Sequence, residues 1–203
     1  MHDATNSKRV ALRTPMLVAL GMLIAAVPSS APGAEPVLSL TAFAVNMSGV
    51  GRQGRAETLQ IVIERWSSDE ERAMLIDTLV EKSSDKLLDA VQKIKPRAGF
   101  IRTTTSLGWD IQFARMTDLP SGGKRIVFAT DRPIAFGEAR NSTRSSDYEF
   151  MLCEVRLGAN GKGEGKLAAA AKITWDKDKK QVEIENYAQE PVRLTQVTED
   201  KKK

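Results

Sequence analysis

The sequence predicts an α+β fold: a curved antiparallel sheet of seven to nine strands with a two-helix hairpin packed on one face. Three observations predict it. Segments rich in β-branched and aromatic residues recur from Val37 to Val197 with short turns between them, and short turns give antiparallel neighbours because parallel crossovers need a dozen or more residues. Two helix-start signals stand close together, Ser68-Asp69-Glu70-Glu71 and Ser84-Asp85. About 170 residues follow the N-terminal leader, enough for one domain with a real core and too few for two.

Residues 1–34 read as a secretory signal peptide. A basic opening (Lys8, Arg9, Arg13) runs into an apolar stretch from Met16 to Val27 and then into small residues ending at Gly33 and Ala34. The apolar run falls well short of the roughly 20 residues that span a bilayer, so no transmembrane anchor is expected after cleavage. Ala31 and Gly33 suit a cut before Ala34, while a cut after Ala34 would put Pro32 at the third position back. The expected location is therefore the periplasm or the medium.

The body is assigned to a single domain over residues 35–198, with a disordered tail over 199–203. Val37 to Ser48 is extended, and a Gly-rich break follows it. In Glu57 to Trp66, Leu59, Ile61 and Ile63 alternate with polar residues, which favours a strand, although Leu59, Val62, Ile63 and Trp66 also fall at helical spacing. The first helix starts at the capping box Ser68-x-x-Glu71 and carries Ile76, Leu79 and Val80 as its stripe; the second carries Leu87, Leu88, Val91 and Ile94 and stops at Pro96. Phe100–Leu107 and Trp109–Thr117 form a hairpin about Gly108, and Arg125–Thr130 is apolar on both faces, as a central strand is. Tyr148–Leu157 and Lys166–Trp175 flank the turn Asn160-Gly161-Lys162-Gly163. Gln181–Tyr187 and Val192–Val197 close the domain, with Glu183 and Glu185 on the wet face of the first of them.

Composition excludes more than it identifies. The net charge is +4, and the leader supplies about half of it, so the body is close to neutral and shows no concentrated basic face of the kind a nucleic-acid binder needs. The only histidine is His2, in the leader, which removes Ser-His-Asp and Cys-His catalysis and histidine-based metal sites from the mature protein. The single cysteine, Cys153, sits on an apolar strand face and reads as an inert buried thiol. No cofactor or metal is predicted.

Several motifs have a plainer structural reading. Gly49-Val50-Gly51-Arg52-Gln53-Gly54 matches a dinucleotide fingerprint but precedes a strand instead of the required helix. Ser83-Ser84-Asp85-Lys86 matches the nucleophile motif of β-lactamases without its companion motifs, and a helix cap accounts for the serines. Asp176-Lys177-Asp178 lacks the further oxygens of a calcium loop and reads as a hairpin turn.

The candidate ligand-binding residues are Arg132, Arg140, Arg144, Trp109 and Trp175. The three arginines stand in a long polar segment, Asp131–Asp147, with the donors an anion needs. Leu167, Ala169, Ala171, Ile173 and Trp175 share one predicted strand face, whose small residues leave room either for close helix packing or for a lipocalin-like pocket that Trp109, Ile111 and Phe113 would also line.

The segments GFIRTTTSLGWDIQFAR, RIVFATDRPI, GKGEGKL and IENYAQEPVRLTQV resemble stretches of a family of exported bacterial proteins with no assigned function, over the chain from about Phe43 onward. The resemblance implies export and a single domain, and it implies no reaction or site residue. The function the sequence favours is non-enzymatic binding of a small molecule or an envelope protein through the concave sheet face or the Arg-rich loop. The alternative is a hydrolase using two of Asp110, Glu149 and Glu154, since glycoside hydrolysis needs paired acids across a cleft. A purely structural envelope protein is a third reading.

Overall fold

A computed structural model of the chain describes residues 35–45, 56–81, 84–134, 147–187 and 190–201, and the compact unit it forms spans Ala34–Lys203. Its elements are β1 (Leu38–Val45), β2 (Ala56–Ile63), α1 (Asp69–Glu81), α2 (Ser84–Gln92), β3 (Gly99–Thr103), β4 (Trp109–Asp118), β5 (Lys124–Thr130), β6 (Phe150–Leu157), β7 (Lys162–Asp176), β8 (Gln181–Asn186) and β9 (Val192–Glu199). Every pairing is antiparallel.

The sheet is not open, which corrects the sequence expectation. Strands β1 to β7 pair in sequence order, β7 also pairs with β9, and β9 returns to β1, so eight strands close into a barrel. Closure depends on the length of β7. At 15 residues it reaches β6 along one edge while β9 and β8 occupy the other in turn. Both β8 and β9 run antiparallel to β7, so they are two lengths of one return strand, interrupted where Tyr187 N donates to Ala170 O at 2.9 Å.

Period-two alternation fills the barrel. Leu59, Ile61 and Ile63 of β2 point inward, as do Leu40, Ile101, Ile126, Phe128 and Val155 from neighbouring strands, and all are fully buried in one cluster. An eight-stranded barrel is just wide enough for its side chains to fill it. The concave face that the sequence offered as a contact surface is therefore packed core.

The second cluster lies outside the barrel wall. Leu79 of α1, with Leu87 and Val91 of α2, packs on Phe150, Ile173 and Trp175. Phe150 faces outward because its neighbours Met151 and Cys153 face in. Between the pairs Phe150↔Ala171 and Leu152↔Ala168, β7 carries one residue more than β6. That bulge reverses the faces: Leu167 belongs to the barrel core, but Ile173 and Trp175 belong to the helical cluster. The single face predicted for Leu167 through Trp175 is thus split in two. Beyond Ala171, β7 and β8 overhang the barrel as a two-stranded ribbon, which leaves Val182 and Ile184 41% and 58% exposed; Glu185 is exposed with them while Glu183 is half-buried, so the glutamates do not make up the one wet face of β8.

The capping box forms as predicted, with Ser68 N donating to Glu71 Oε2 at 3.1 Å and Glu71 N donating to Ser68 Oγ at 3.2 Å. Arg65 makes a bidentate pair with Glu71, both bonds at 2.9 Å, and also donates to Pro96 O, so one guanidinium ties the entrance of the helical hairpin to its exit. In α1 the buried contact falls on Leu79 and Leu75, while Val80 is turned out to solvent. At the other terminus β9 continues through Glu199, and Asp200 N donates to Ser39 O at 2.9 Å, so order extends past residue 198.

Candidate functional site

The outer wall of the barrel over β6, β7 and β9 holds a groove of about 440 Å³, and its shape starts with a glycine. A Cβ on Gly163 would meet Arg156 O at 1.8 Å, so only glycine lets β7 cross this close to β6. The strands coil tightly there, and the outward side chains Glu154, Arg156, Glu164, Lys166, Arg193 and Thr195 line the groove that results.

Its electrostatics follow from the register. Glu154 lies opposite Lys166, but arginines already hold its carboxylate: Arg125 Nη2 at 2.6 Å and Arg156 Nε at 2.7 Å. The hydrogen bond from Arg125 is the main reason that the Glu154 carboxyl lies below the usual carboxylate range; burial opposes it and the Arg156 bond adds to it. Lys166 is left without that partner. On its other side it faces Arg193 directly across the β7–β9 pair, and both side chains are exposed. Among the described residues neither forms an ion pair. Like charges directly opposite each other in an antiparallel pair are destabilising. A carboxylate or phosphate placed between them would reverse that sign; the Thr195 hydroxyl beside them donates to Phe43 O at 3.4 Å.

The residues nominated by sequence do not converge. Trp109 packs against the barrel core at the start of β4, whereas Trp175 packs in the helical cluster. Arg132 is at the barrel mouth near Trp109, where its Nη2 donates to Gly108 O at 3.4 Å. Arg140 and Arg144 lie outside the described residues, as do the Gly49–Gly54 motif and Ser83. Of the three acids, Asp110 is paired with Arg97 at 2.6 Å on β4, and Glu154 is held by its two arginines on β6, with β5 between them. Glu149 precedes β6. Cys153 is buried in the barrel core, and burial pushes its thiol far up. Asp176 caps the β7–β8 turn, its Oδ1 accepting from Asp178 N at 2.9 Å and Lys179 N at 3.0 Å.

Lys166 and Arg193 were not nominated from sequence. Each falls at an outward position of its strand by simple alternation, which is legible. Their juxtaposition is not, because β7 and β9 pair across the intervening β8.

Among the described residues no three His, Cys, Asp or Glu side chains gather as a metal site needs, and no helix is long and apolar enough to cross a membrane. The barrel has an apolar interior and a charged outer wall, the reverse of a barrel that faces lipid. Comparison of the chain with protein-family models, with curated proteins and with solved structures returned no match.

Proposed function

We propose that this chain is an exported, non-enzymatic binding domain that holds an anionic group of a small molecule or envelope partner in the groove over β6, β7 and β9. The observation that carries the reading is the facing pair Lys166 and Arg193, two exposed cations with no carboxylate partner among the described residues. A hydrolase of the two-carboxylate kind needs one acid kept protonated near neutrality. Glu154 is displaced in the opposite direction by its arginines, which favours binding over that chemistry.

Export is supported by the basic, apolar and small-residue order of residues 1–34 and by the resemblance to exported bacterial proteins. N-terminal sequencing of protein purified from a host that exports it tests this half; a mature chain starting at Ala34 or Glu35 is expected, and an intact Met1 in the functional form would overturn it.

The groove is tested by NMR titration with inorganic phosphate and with citrate. Amide shifts centred on Gly165, Lys166, Arg193 and Thr195 are expected, weakening with salt as exposed charge interactions do. In the double variant Lys166→Glu, Arg193→Glu, affinity should fall by at least about tenfold, equivalent to about 1.4 kcal/mol. Equal affinity in the variant, or shifts located elsewhere, would defeat the reading.

A further inference from the structure

We infer that the ligand is an acidic oligosaccharide, laid across the outer wall from the cationic groove, over Phe43, into a second groove on β1, β2 and β3. The inference rests on the anion-binding reading and names its substrate class.

The second groove has a volume of about 310 Å³ and different chemistry. Thr41, Gln60 and Arg102 stand in one row across β1, β2 and β3 by register, with Thr58, Thr104 and Ser106 beside them. Arg102 is held in place twice: its Nε donates to Gln60 Oε1 at 2.7 Å, and its guanidinium lies 5.4 Å from the centroid of the Phe100 ring. That hydrogen bond leaves the Gln60 amide donors and the remaining Arg102 N–H groups for a ligand. The Thr41 hydroxyl donates to Asp200 Oδ1 at 3.0 Å, which leaves the hydroxyls of Thr58, Thr104 and Ser106, one amide and one fixed guanidinium to recognise sugar hydroxyls and a uronate carboxylate.

Phe43 joins the two grooves. It is on the outward face of β1 and 38% exposed, an unusual place for an aromatic ring on a wall of threonines and charges. Its cross-strand neighbours are Thr58, which lines the second groove, and Thr195, which lines the first. An exposed ring between two rows of hydroxyls is a platform for the C–H face of a pyranose. From β7 to β3 the wall spans four strand spacings, about 19 Å, which is several sugar units long.

Nucleic acid fits the wall less well. Glu154 and Glu164 stand among the cations and would repel a continuous run of phosphates, and Arg97 and Arg102 cover the Phe100 ring, which leaves Phe43 as one open stacking surface where single strands need a succession of them. Spaced carboxylates on an otherwise neutral polymer suit alternating charge.

Isothermal titration with glucuronic acid and with the tetramer and hexamer of alternating glucuronate and N-acetylglucosamine tests the inference, with the matching neutral N-acetylglucosamine oligomers and oligo-dT as controls. Affinity should rise by at least about tenfold from monomer to hexamer, and the neutral oligomers should bind more weakly than the acidic ones. Phe43→Ala and, independently, Gln60→Ala should abolish the gain with length while leaving phosphate binding in the first groove unchanged. A hexamer that binds no tighter than the monomer, or full length dependence in both variants, would overturn the inference and leave the anion site standing. Tighter binding of oligo-dT than of the hexamer would overturn it in favour of a single-stranded nucleic acid. Failure of phosphate to bind at all would remove the underlying anion site.

Discussion

The barrel and the helix-bearing ribbon on its side are held together in different ways. In the barrel, each strand is hydrogen-bonded on both edges, and every inward side chain meets others from across the ring. In the ribbon, among the described residues, β8 pairs only with β7, its Val182 and Ile184 are open to solvent, and a small cluster around Leu79, Leu87, Val91 and Phe150 supplies the packing. The contrast teaches that closure and cladding are separate contributions. The barrel needs all its strands at once, whereas the hairpin and ribbon can loosen while the barrel stays intact.

The harshest way to break the comparison is Gly163→Val. A side chain there has backbone oxygen where its Cβ must sit, so β7 cannot approach β6 and the barrel cannot close. Loss of the cooperative thermal transition in circular dichroism is expected, and a variant that melts like the parent would show that closure tolerates a wider gap. Phe128→Ala comes next. It empties a fully buried position in the barrel and should cost about 3–5 kcal/mol in denaturant unfolding without altering the fold. Trp175→Ala should cost about 2 kcal/mol, less because the ring is only partly buried. More telling than its size is its location: hydrogen exchange should lose protection in α1, α2, the outer half of β7 and β8, with β2 and β5 unchanged. Uniform loss across the barrel would mean that the two regions open together.

Ser68→Ala removes one arm of the capping box and should cost about 1 kcal/mol. The smallest effect concerns acid. Arg65 is the main cause that holds the Glu71 carboxyl below the usual range. A folded value below the unfolded one adds stability above the unfolded pKa of about 4.3, and that stability is lost as pH falls through the folded value. Glu71→Gln should therefore lower the urea midpoint at pH 7 while leaving a smaller fall between pH 5 and pH 3 than the parent shows. An unchanged slope would place the acid sensitivity on other carboxylates.

Local patterns were legible where a single segment contains its own reason. Alternation identified Leu59, Ile61 and Ile63 as one face, and Ser68 with Glu71 marked the start of a helix. The Asn160–Gly161 turn was placed correctly, with Gly161 at φ 71°. Closure was not legible, because the pairs that make it, β7 with β9 and β9 with β1, join strands that are not adjacent in sequence. The bulge in β7 was hidden for a related reason: Ala168, Ala169, Ala170 and Ala171 offer no alternation from which to read a slip. The candidate site failed to emerge on the same ground. Arg132, Trp109 and Trp175 stand out by their chemistry within single segments, whereas Lys166 and Arg193 matter only as neighbours.

Cys153 gives the barrel a consequence of its own. Its sulfur lies among Leu167, Val155 and Phe128, 2% exposed, and it is the sole thiol of the chain. Alkylation requires the thiolate and an open path to it, and the closed ring supplies neither. Under oxidising conditions two molecules are therefore kept from crosslinking through sulfur for as long as the ring holds, and the rate at which a maleimide reacts becomes a direct clock for its opening.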